Sequence, residues 1–273
     1  MEIRNGDNGP GELERDSPLL PVGAMAFETV VSENWCSGTT PNGGYLMSLA
    51  LRALARVLPM PDPITATAHY LQQVLIGPAR VEVETIRIGR SLARGCSRLI
   101  QEGQERMRVI AAFGMFSPGS TVFSRPRGFE LAPLEDCVEL AVGTPGGGRS
   151  TVRERFDTRY DPASVSWVKG RPSGQPRIAA WVRPADGSID RHLLPVLCDA
   201  LPSTAYDMGV PPPVPTIELT VHQFGVAADG WVSGLWSSRH MAEGLMEESS
   251  EIWDSSGRLV ALSHQVALIS DPG

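Results

Sequence analysis

Cysteine is scarce in this sequence, and its spacing matches no metal-binding or redox pattern. The 273 residues include only four cysteines, which lie far apart at Cys36, Cys96, Cys137 and Cys198. No Cys-x-x-Cys pair occurs, which argues against a zinc ribbon and against a disulfide framework. Reduced thiols are the simpler interpretation, so we expect a cytoplasmic protein.

Basic charge and long apolar runs are also in short supply. Lysine occurs once, at Lys169, and the formal net charge is −7. Because non-specific nucleic-acid binding needs a basic surface, no nucleic-acid partner is expected. No apolar run approaches the roughly 20 residues that span a bilayer, so no membrane partner is expected either. Residues 1–18 are polar and lack the apolar centre of a signal peptide, which predicts a flexible tail over residues 1–23.

Several well-known catalytic motifs are missing. The sequence contains neither the G-x-S-x-G of serine hydrolases, nor the phosphate-binding G-x-x-x-x-G-K-[ST], nor the zinc motif H-E-x-x-H. Its five histidines show no metal-ligand spacing; they are His69, His192, His222, His240 and His264. We therefore predict no metal and no other cofactor, and chemistry carried by polar side chains.

The pattern between residues 24 and 116 predicts one helix and five strands. Hydrophobic residues make up 42% of the chain, which is enough for a sizeable core. Residues 45–58 are apolar on most helical faces, which is typical of a buried helix, and the segment ends before Pro59. Gly103 indicates a hairpin turn. Strands are predicted at 26–32, 65–76, 79–88, 91–102 and 105–116.

The pattern changes at residue 117 and then repeats. Residues 117–150 are rich in proline and glycine, which predicts a linker that is most flexible at 146–148. A second helix is predicted over 189–207, although Pro195 and Pro202 interrupt it. The remaining segments predict strands, at 153–160, 177–183, 216–224, 230–239, 245–254 and 258–269.

Both patterns run in the same order: a strand, a helix and then antiparallel strands. This order predicts an α+β protein built by duplication, because one helix packed on a curved antiparallel sheet is a stable two-layer arrangement. A single long central helix in each half predicts the hotdog fold, and two tandem repeats predict a double hotdog. The expected domains are a flexible tail (1–23), an N-terminal hotdog repeat (24–116), a linker (117–150) and a C-terminal hotdog repeat (151–270).

Four segments together resemble the TesB-like (type II) acyl-CoA thioesterases, which are double-hotdog enzymes. They are PNGGYLMSLALRAL (41–54), VEVETIRIGRSLARGCSRLIQEG (81–103), RIAAWVRPADG (177–187) and EIWDSSGRLVALSHQVALI (251–269). The resemblance implies hydrolysis of fatty acyl-CoA to a free fatty acid and coenzyme A. It also implies that Asp199, Thr216 and Gln265 hold and activate the hydrolytic water. Because the segment after Asp199 is short and rich in proline, Asp207 is the alternative catalytic acid.

The residues around Asp199 and Gln265 favour the same interpretation, although a helix-end Asp near solvent and a glutamine on a solvated sheet face are the alternatives; Thr216 alone carries little information. Asp199 lies in an apolar helical stretch, where an unpaired charge is costly. Gln265 shares its strand face with small residues, which leaves room for a ligand. Alternation predicts that Thr216 shares its face with Glu218 and Thr220, opposite an apolar set.

Substrate contacts are expected from the start of the first helix and from the arginine-rich strands. The backbone N–H groups of Gly43 and Gly44 could approach the thioester oxygen, because a helix N-terminus favours negative charge; a tight turn is the alternative role for this pair. Tyr45 follows them directly and is assigned to the same contact. Arg90 is one of a cluster of arginines that could bind the phosphates of coenzyme A, although a solvated strand face is the other interpretation.

Two other functions fit the predicted fold. An acyl-CoA-binding protein without efficient turnover would keep the fold and release no thiol. A hotdog hydratase needs an Asp–His pair of the D-x-N-P-x-H kind, which this sequence lacks. By analogy with other hotdog proteins, a homo-oligomer is possible. One active site per chain is predicted, because Ala111–Phe113 stand in the first half where His264–Val266 stand in the second.

Overall fold

A single large antiparallel sheet dominates the computed structural model, which describes residues 11–117, 119, 121–140, 149–187 and 189–270. Among these described residues, three α-helices accompany it: α1 (Glu12–Asp16), α2 (Gly43–Val57) and α3 (Leu193–Asp199). The strands are β1 (Leu20–Gly23), β2 (Ala26–Val31), β3 (Cys36–Ser37), β4 (Thr40–Pro41), β5 (Asp62–Tyr70), β6 (Gly77–Ile88), β7 (Ala93–Gln101), β8 (Gln104–Gly114), β9 (Phe156–Tyr160), β10 (Arg177–Pro184), β11 (Thr216–Gln223), β12 (Val232–Ser237), β13 (Met241–Ala242), β14 (Leu245–Trp253) and β15 (Leu259–Leu268).

The strand order is the same on the two sides of the sheet. The first side runs β2-β6-β7-β8-β5, and the second runs β10-β12-β14-β15-β11 with the order of elements along the chain repeated. Strands β5 and β11 pair at the centre, where Ala68 lies opposite Leu219, and so join the two sides into one sheet. In both sides the helix lies in sequence between the first strand and the strand that pairs at the centre.

Helix α2 is the buried centre of the first half. Asn42 caps its N-terminus, since its side-chain Oδ1 accepts a 2.9 Å hydrogen bond from the Tyr45 N–H. Every residue from Gly44 to Leu54 is buried, as the apolar pattern predicted. The helix packs against α3 so closely that a Cβ on Gly44 would lie 2.2 Å from the Pro195 carbonyl oxygen. Only glycine allows this approach of two backbones.

The second helix is much shorter than predicted. A long helix was predicted in each half, and the second was predicted over residues 189–207. In the structure α3 comprises only seven residues, Leu193–Asp199. Proline at position 202 cannot donate a helical hydrogen bond, and the chain continues as a separate 3₁₀ turn at Thr204–Met208. The early end of α3 leaves the Asp199 side chain at a helix terminus rather than in the middle of an apolar helix.

Two other predicted segments differ from the structure. Residues 12–23 belong to the predicted tail, yet they form α1 and β1, and Leu13 is buried. The strand predicted at 65–76 is displaced toward the N-terminus and ends at Tyr70, because residues 71–76 leave the sheet. Residues 146–148, predicted as the most flexible part of the linker, lie outside the described residues. Within the described part of the chain, no helix is both long and apolar enough to cross a bilayer.

Candidate active site

Asp199 closes α3 and faces the N-terminus of α2. Its Oδ2 accepts hydrogen bonds from the Gly44 backbone N–H (2.9 Å) and from the Asn42 side-chain Nδ2 (2.8 Å). The same Nδ2 donates to the Asp199 backbone carbonyl at 2.7 Å. Because Asn42 Oδ1 is occupied by the Tyr45 N–H, the Asn42 amide nitrogen must point at Asp199. The helix cap and the carboxylate are therefore built as one unit.

The surroundings of Asp199 give it an unusual acidity. Burial raises the pKa of the Asp199 carboxyl to about 7, and the negative charge of Glu248 adds to the rise. The N–H donors of Gly44, Gly43 and Asn42 act in the opposite direction and moderate it. The residue is nevertheless only half-buried. A carboxyl with a pKa near neutrality can accept and return a proton at physiological pH.

Thr216 and Gln265 meet through a β-bulge that the alternation pattern did not reveal. Thr216 lies opposite Ala267, and Leu219 lies opposite Gln265, so the register shifts by one residue at Ile217. This shift turns Thr216 to the inner face of the sheet, away from the outward face of Glu218. The prediction that Thr216 shares a face with Glu218 and Thr220 is therefore wrong. The Thr216 Oγ1 donates a 2.8 Å hydrogen bond to Gln265 Oε1.

Glu248 is hydrogen-bonded to the Thr216–Gln265 pair and acts on Asp199 through its charge. It lies directly opposite Gln265 in the β14–β15 register, and its Oε1 accepts a 2.8 Å hydrogen bond from Gln265 Nε2. Its charge acts on Asp199. The sequence analysis did not select this residue, because it lies in the run MEESSE, which is typical of a solvated strand face.

Tyr70 is the second residue that the sequence analysis missed. Its hydroxyl is buried and has no hydrogen-bond partner among the described residues. A Cβ added to Gly43 would lie 2.8 Å from the Tyr70 hydroxyl oxygen and 3.0 Å from Asp199 Oδ2, so both atoms flank this glycine. Burial and then the charges of Asp199 and Glu218 raise the pKa of Tyr70 well above its ordinary value, which keeps the hydroxyl protonated.

The residues predicted to contact the substrate do not all lie at the site. Gly43 and Gly44 lie at the site, as described above. The Tyr45 side chain does not reach it: its hydroxyl bonds to Ser17 Oγ (2.5 Å) and to the Ser32 N–H (2.8 Å), and its ring stacks on Trp35. These contacts anchor the N-terminal segment to α2, which is a structural role.

Arg90 lies at the other end of the sheet from Asp199. It is exposed in the turn between β6 and β7. The register links that turn through Ala93 and Phe113 to Pro63, at the start of β5. Tyr70, at the site, is the last residue of the same strand. The structure therefore does not bring Arg90 to the other candidate residues.

Asp207, the alternative acid, is committed to a loop. It is buried, and its carboxylate accepts hydrogen bonds from the Ser173 N–H at 2.7 Å and from the Ser173 hydroxyl. Its backbone carbonyl accepts from the Gly174 N–H. These bonds hold the loop before β10 in place, and Asp199 remains the carboxyl that faces the α2 N-terminus.

No metal centre can be assembled from the described residues, since no three His, Cys, Asp or Glu side chains come together in a suitable group. Two surface cavities, of about 260 and 600 Å³, are lined by other residues, near Cys96 and near Phe129 respectively. Asp199 lines neither of these two cavities.

Two domains of known protein families match most of the chain. The acyl-CoA thioesterase N-terminal domain matches residues 31–116, and the acyl-CoA thioesterase C-terminal domain matches residues 134–269. A thioesterase-like protein of Talaromyces wortmannii, TwmA, is 23% identical over 304 residues, covering 89% of this chain and 87% of that protein. An uncharacterised protein of Mycobacterium tuberculosis is 25% identical over 293 residues, covering 98% and 96%.

Solved structures share the fold at low sequence identity. A candidate thioesterase II from Thermobifida fusca superposes with a TM-score of 0.88 at 22% identity, covering 97% of this chain and 100% of that one. A hotdog-fold protein from Alicyclobacillus acidocaldarius gives 0.82 at 18% identity with the same coverage. The tesB protein of Mycobacterium avium gives 0.76 at 18% identity, covering 95% and 98%. The fold is that of the hotdog proteins, and the chain belongs to the acyl-CoA thioesterase family.

Proposed function

We propose that this protein is a cytoplasmic thioesterase that hydrolyses fatty acyl-CoA to a free fatty acid and coenzyme A. The observation that carries the proposal is the half-buried Asp199 carboxyl, whose pKa of about 7 suits a group that takes and returns a proton. It faces the α2 N-terminus, where backbone N–H groups favour the negative charge that develops on a thioester oxygen.

The proposed reaction uses Asp199 first as base and then as acid. A water held by Asp199, Thr216 and Gln265 attacks the thioester carbonyl carbon, and its proton passes to the Asp199 carboxylate. The carbonyl becomes a tetrahedral oxyanion. When this intermediate collapses, the C–S bond breaks, the sulfur takes the bond's electron pair, and Asp199 returns the proton to the thiolate. The products are the free acid and the coenzyme A thiol.

Tyr70 is proposed as a donor to the oxyanion. Its buried hydroxyl has no partner among the described residues and flanks Gly43 together with Asp199. Its raised pKa keeps the proton on the oxygen, so the hydroxyl can only serve as a donor to an anionic group. A donor that is already oriented before the charge develops needs no rearrangement during the reaction.

The proposed architecture is a double hotdog with one active site. The repeated strand order on the two sides of the sheet and the separate N- and C-terminal family matches support two hotdog repeats. The first half offers different chemistry at the equivalent place: β5 begins with the buried Asp62, which forms a 2.5 Å ion pair with Arg191, whereas β11 begins with Thr216. At this place the first half therefore has an ion-paired carboxylate where the second half has the Thr216 hydroxyl.

Thiol release tests the proposed function. The purified protein should release coenzyme A from members of a panel of saturated acyl-CoAs of increasing chain length, measured with a thiol-reactive dye. The chain-length profile would identify the preferred substrate. If the protein binds acyl-CoAs in calorimetry but releases no thiol from any of them, it is an acyl-CoA-binding protein and not an enzyme.

A further inference from the structure

Glu248 is a buried carboxylate with an unusual set of partners. Its side chain is 5% exposed. It accepts hydrogen bonds from the Thr204 N–H (2.9 Å), the Thr204 hydroxyl (2.7 Å) and Gln265 Nε2 (2.8 Å). Within the described part of the chain, no Arg, Lys or His forms an ion pair with it. A buried carboxylate without a cation is costly, so packing alone does not account for it.

The partners of Glu248 decide how the Gln265 amide is oriented. An ionised carboxylate can only accept, so the amide nitrogen of Gln265 must face Glu248. The amide oxygen then faces Thr216, whose hydroxyl has to donate its proton to it. The lone pairs of the Thr216 oxygen are consequently left free to accept a hydrogen bond from another molecule. Without Glu248, both orientations of the amide would become available.

Glu248 also affects Asp199 through its charge. The pKa of Asp199 is raised by burial and by Glu248, while the other titratable groups near Asp199 are the hydroxyl of Tyr70 and the thiol of Cys198, both of which are neutral. Burial and the charge of Glu247 raise the pKa of Glu248 itself, while the hydrogen bonds from Thr204 and Gln265 act in the opposite direction and favour the carboxylate; Tyr206 faces it from the 3₁₀ turn.

We propose that Glu248 is a positioning residue of the active site, which fixes the Gln265 amide and through it the Thr216 hydroxyl, and whose negative charge acts on Asp199. The inference rests on the proposed function for its catalytic consequence. The geometry that carries it is the continuous chain of hydrogen bonds from Ser238 through Thr204, Glu248 and Gln265 to Thr216.

The test is Glu248→Gln, which keeps the shape and removes the charge. We expect kcat to fall at least tenfold with KM within about threefold, because the Gln265 amide is then free to turn. The acid limb of the kcat/KM profile should move to lower pH by about one unit, since Asp199 loses a neighbouring negative charge. A residue that only supports the fold would not move this limb. Glu251→Gln, on the outward face of the same strand, is the matched control and should change neither quantity.

A double-mutant cycle separates the two effects of Glu248. If it acts through Gln265, then Glu248→Gln in a Gln265→Ala background should lower kcat less than twofold further, because residues in one hydrogen-bond network are not additive. The inference is overturned if Glu248→Gln has the wild-type kcat and pH profile, or if the two substitutions are fully additive in kcat. Should Glu248→Gln fail to fold, Thr204→Val, which removes one donor to Glu248, must reduce kcat at least threefold for the inference to stand.

An NMR titration of the Asp199 carboxyl tests the role of Glu248 without measuring turnover. The Asp199 signal is assigned by comparison with Asp199→Asn, and Glu248→Gln should lower its pKa. If the wild-type protein releases no thiol but this shift is seen, the proposed function fails and the electrostatic role of Glu248 stands. If thiol is released but neither kcat nor the Asp199 pKa responds to Glu248→Gln, only the inference about Glu248 fails.

Discussion

At the scale of single residues, the site depends on a carboxyl whose proton affinity is set by its neighbours. Asp199 would be an ordinary, fully ionised acid in water, but burial and Glu248 bring its pKa close to neutrality. The N–H donors at the start of α2 keep the rise moderate. The balance leaves both protonation states accessible, as a group that acts in turn as base and acid requires.

Tyr70→Phe separates a catalytic hydroxyl from a structural one. The hydroxyl is buried without a partner among the described residues, so its removal should leave the melting temperature unchanged or slightly raised. Loss of an oxyanion donor typically costs about 10²–10³-fold in kcat, and we expect at least a tenfold fall. Steady-state thiol release and a thermal melt measure the two quantities. A Phe variant with wild-type kcat would remove Tyr70 from the mechanism.

The sequence predicted some of these residues better than others. Asp199, Thr216 and Gln265 followed from the family resemblance, and the structure brings Thr216 and Gln265 into direct contact. Tyr70 was not predicted, since tyrosine is a common strand residue and nothing in the pattern marks its unpaired hydroxyl. Glu248 was not predicted either, because it lies in the acidic run MEESSE, which is typical of a solvated strand face. Its importance depends on the partner strand, which alternation along one strand does not reveal.

At the scale of elements, the bulge at Ile217 is the feature that forms the site. Regular alternation placed Thr216 on the outward face, and the extra residue turns it inward. Most of the long strands were predicted, because their alternation and their turn residues are local signals, whereas β1 was missed and β5 was displaced. The bulge arises from pairing with a strand distant in sequence, so alternation did not reveal it, whereas Pro202 already marked an interruption of the second helix, although not its end at Asp199.

Deletion of Ile217 tests the role of the bulge. The shortened strand should keep Leu219 and Val221 in the core, so the protein should remain folded. Thr216 would then directly precede Glu218 in regular alternation, stay opposite Ala267 on the inner face and keep its hydrogen bond to Gln265, so we expect kcat within about threefold of wild type. Circular dichroism and thiol release measure both effects. Ile217→Val, which keeps the extra residue, is the control and should retain activity within about twofold; a folded deletion variant whose kcat falls at least tenfold would contradict the account.

At the scale of the whole molecule, the two halves share an architecture and differ in chemistry. The order of strands is repeated, and β5 and β11 join the halves at the centre of one sheet. The residues of the site come from both halves: Asn42, Gly44 and Tyr70 from the first, and Asp199, Thr216 and Gln265 from the second. We expect that neither half alone would form the site.

The stability of the whole protein should depend on pH through the ionisation of Asp199. A carboxyl whose pKa is raised on folding stabilises the protein fully below its unfolded value near 3.8, and this contribution is lost as the pH rises through about 7. Asp199→Asn removes the ionisation. As the pH increases from 5 to 8, the unfolding free energy of the variant should therefore rise relative to that of the wild type, by on the order of 1–3 kcal/mol. Melting temperatures of the two proteins across this range measure the change. A constant difference across this range would show that Asp199 does not titrate as described.

The most direct test of the account is the activity of Asp199→Asn measured as thiol release across the pH range. We predict that the wild-type protein loses kcat/KM below an apparent pKa of about 7 and that the folded variant has its kcat reduced more than tenfold at pH 7 and above. Near-normal turnover in Asp199→Asn, with the fold intact by circular dichroism, would contradict the assignment of Asp199 as the base.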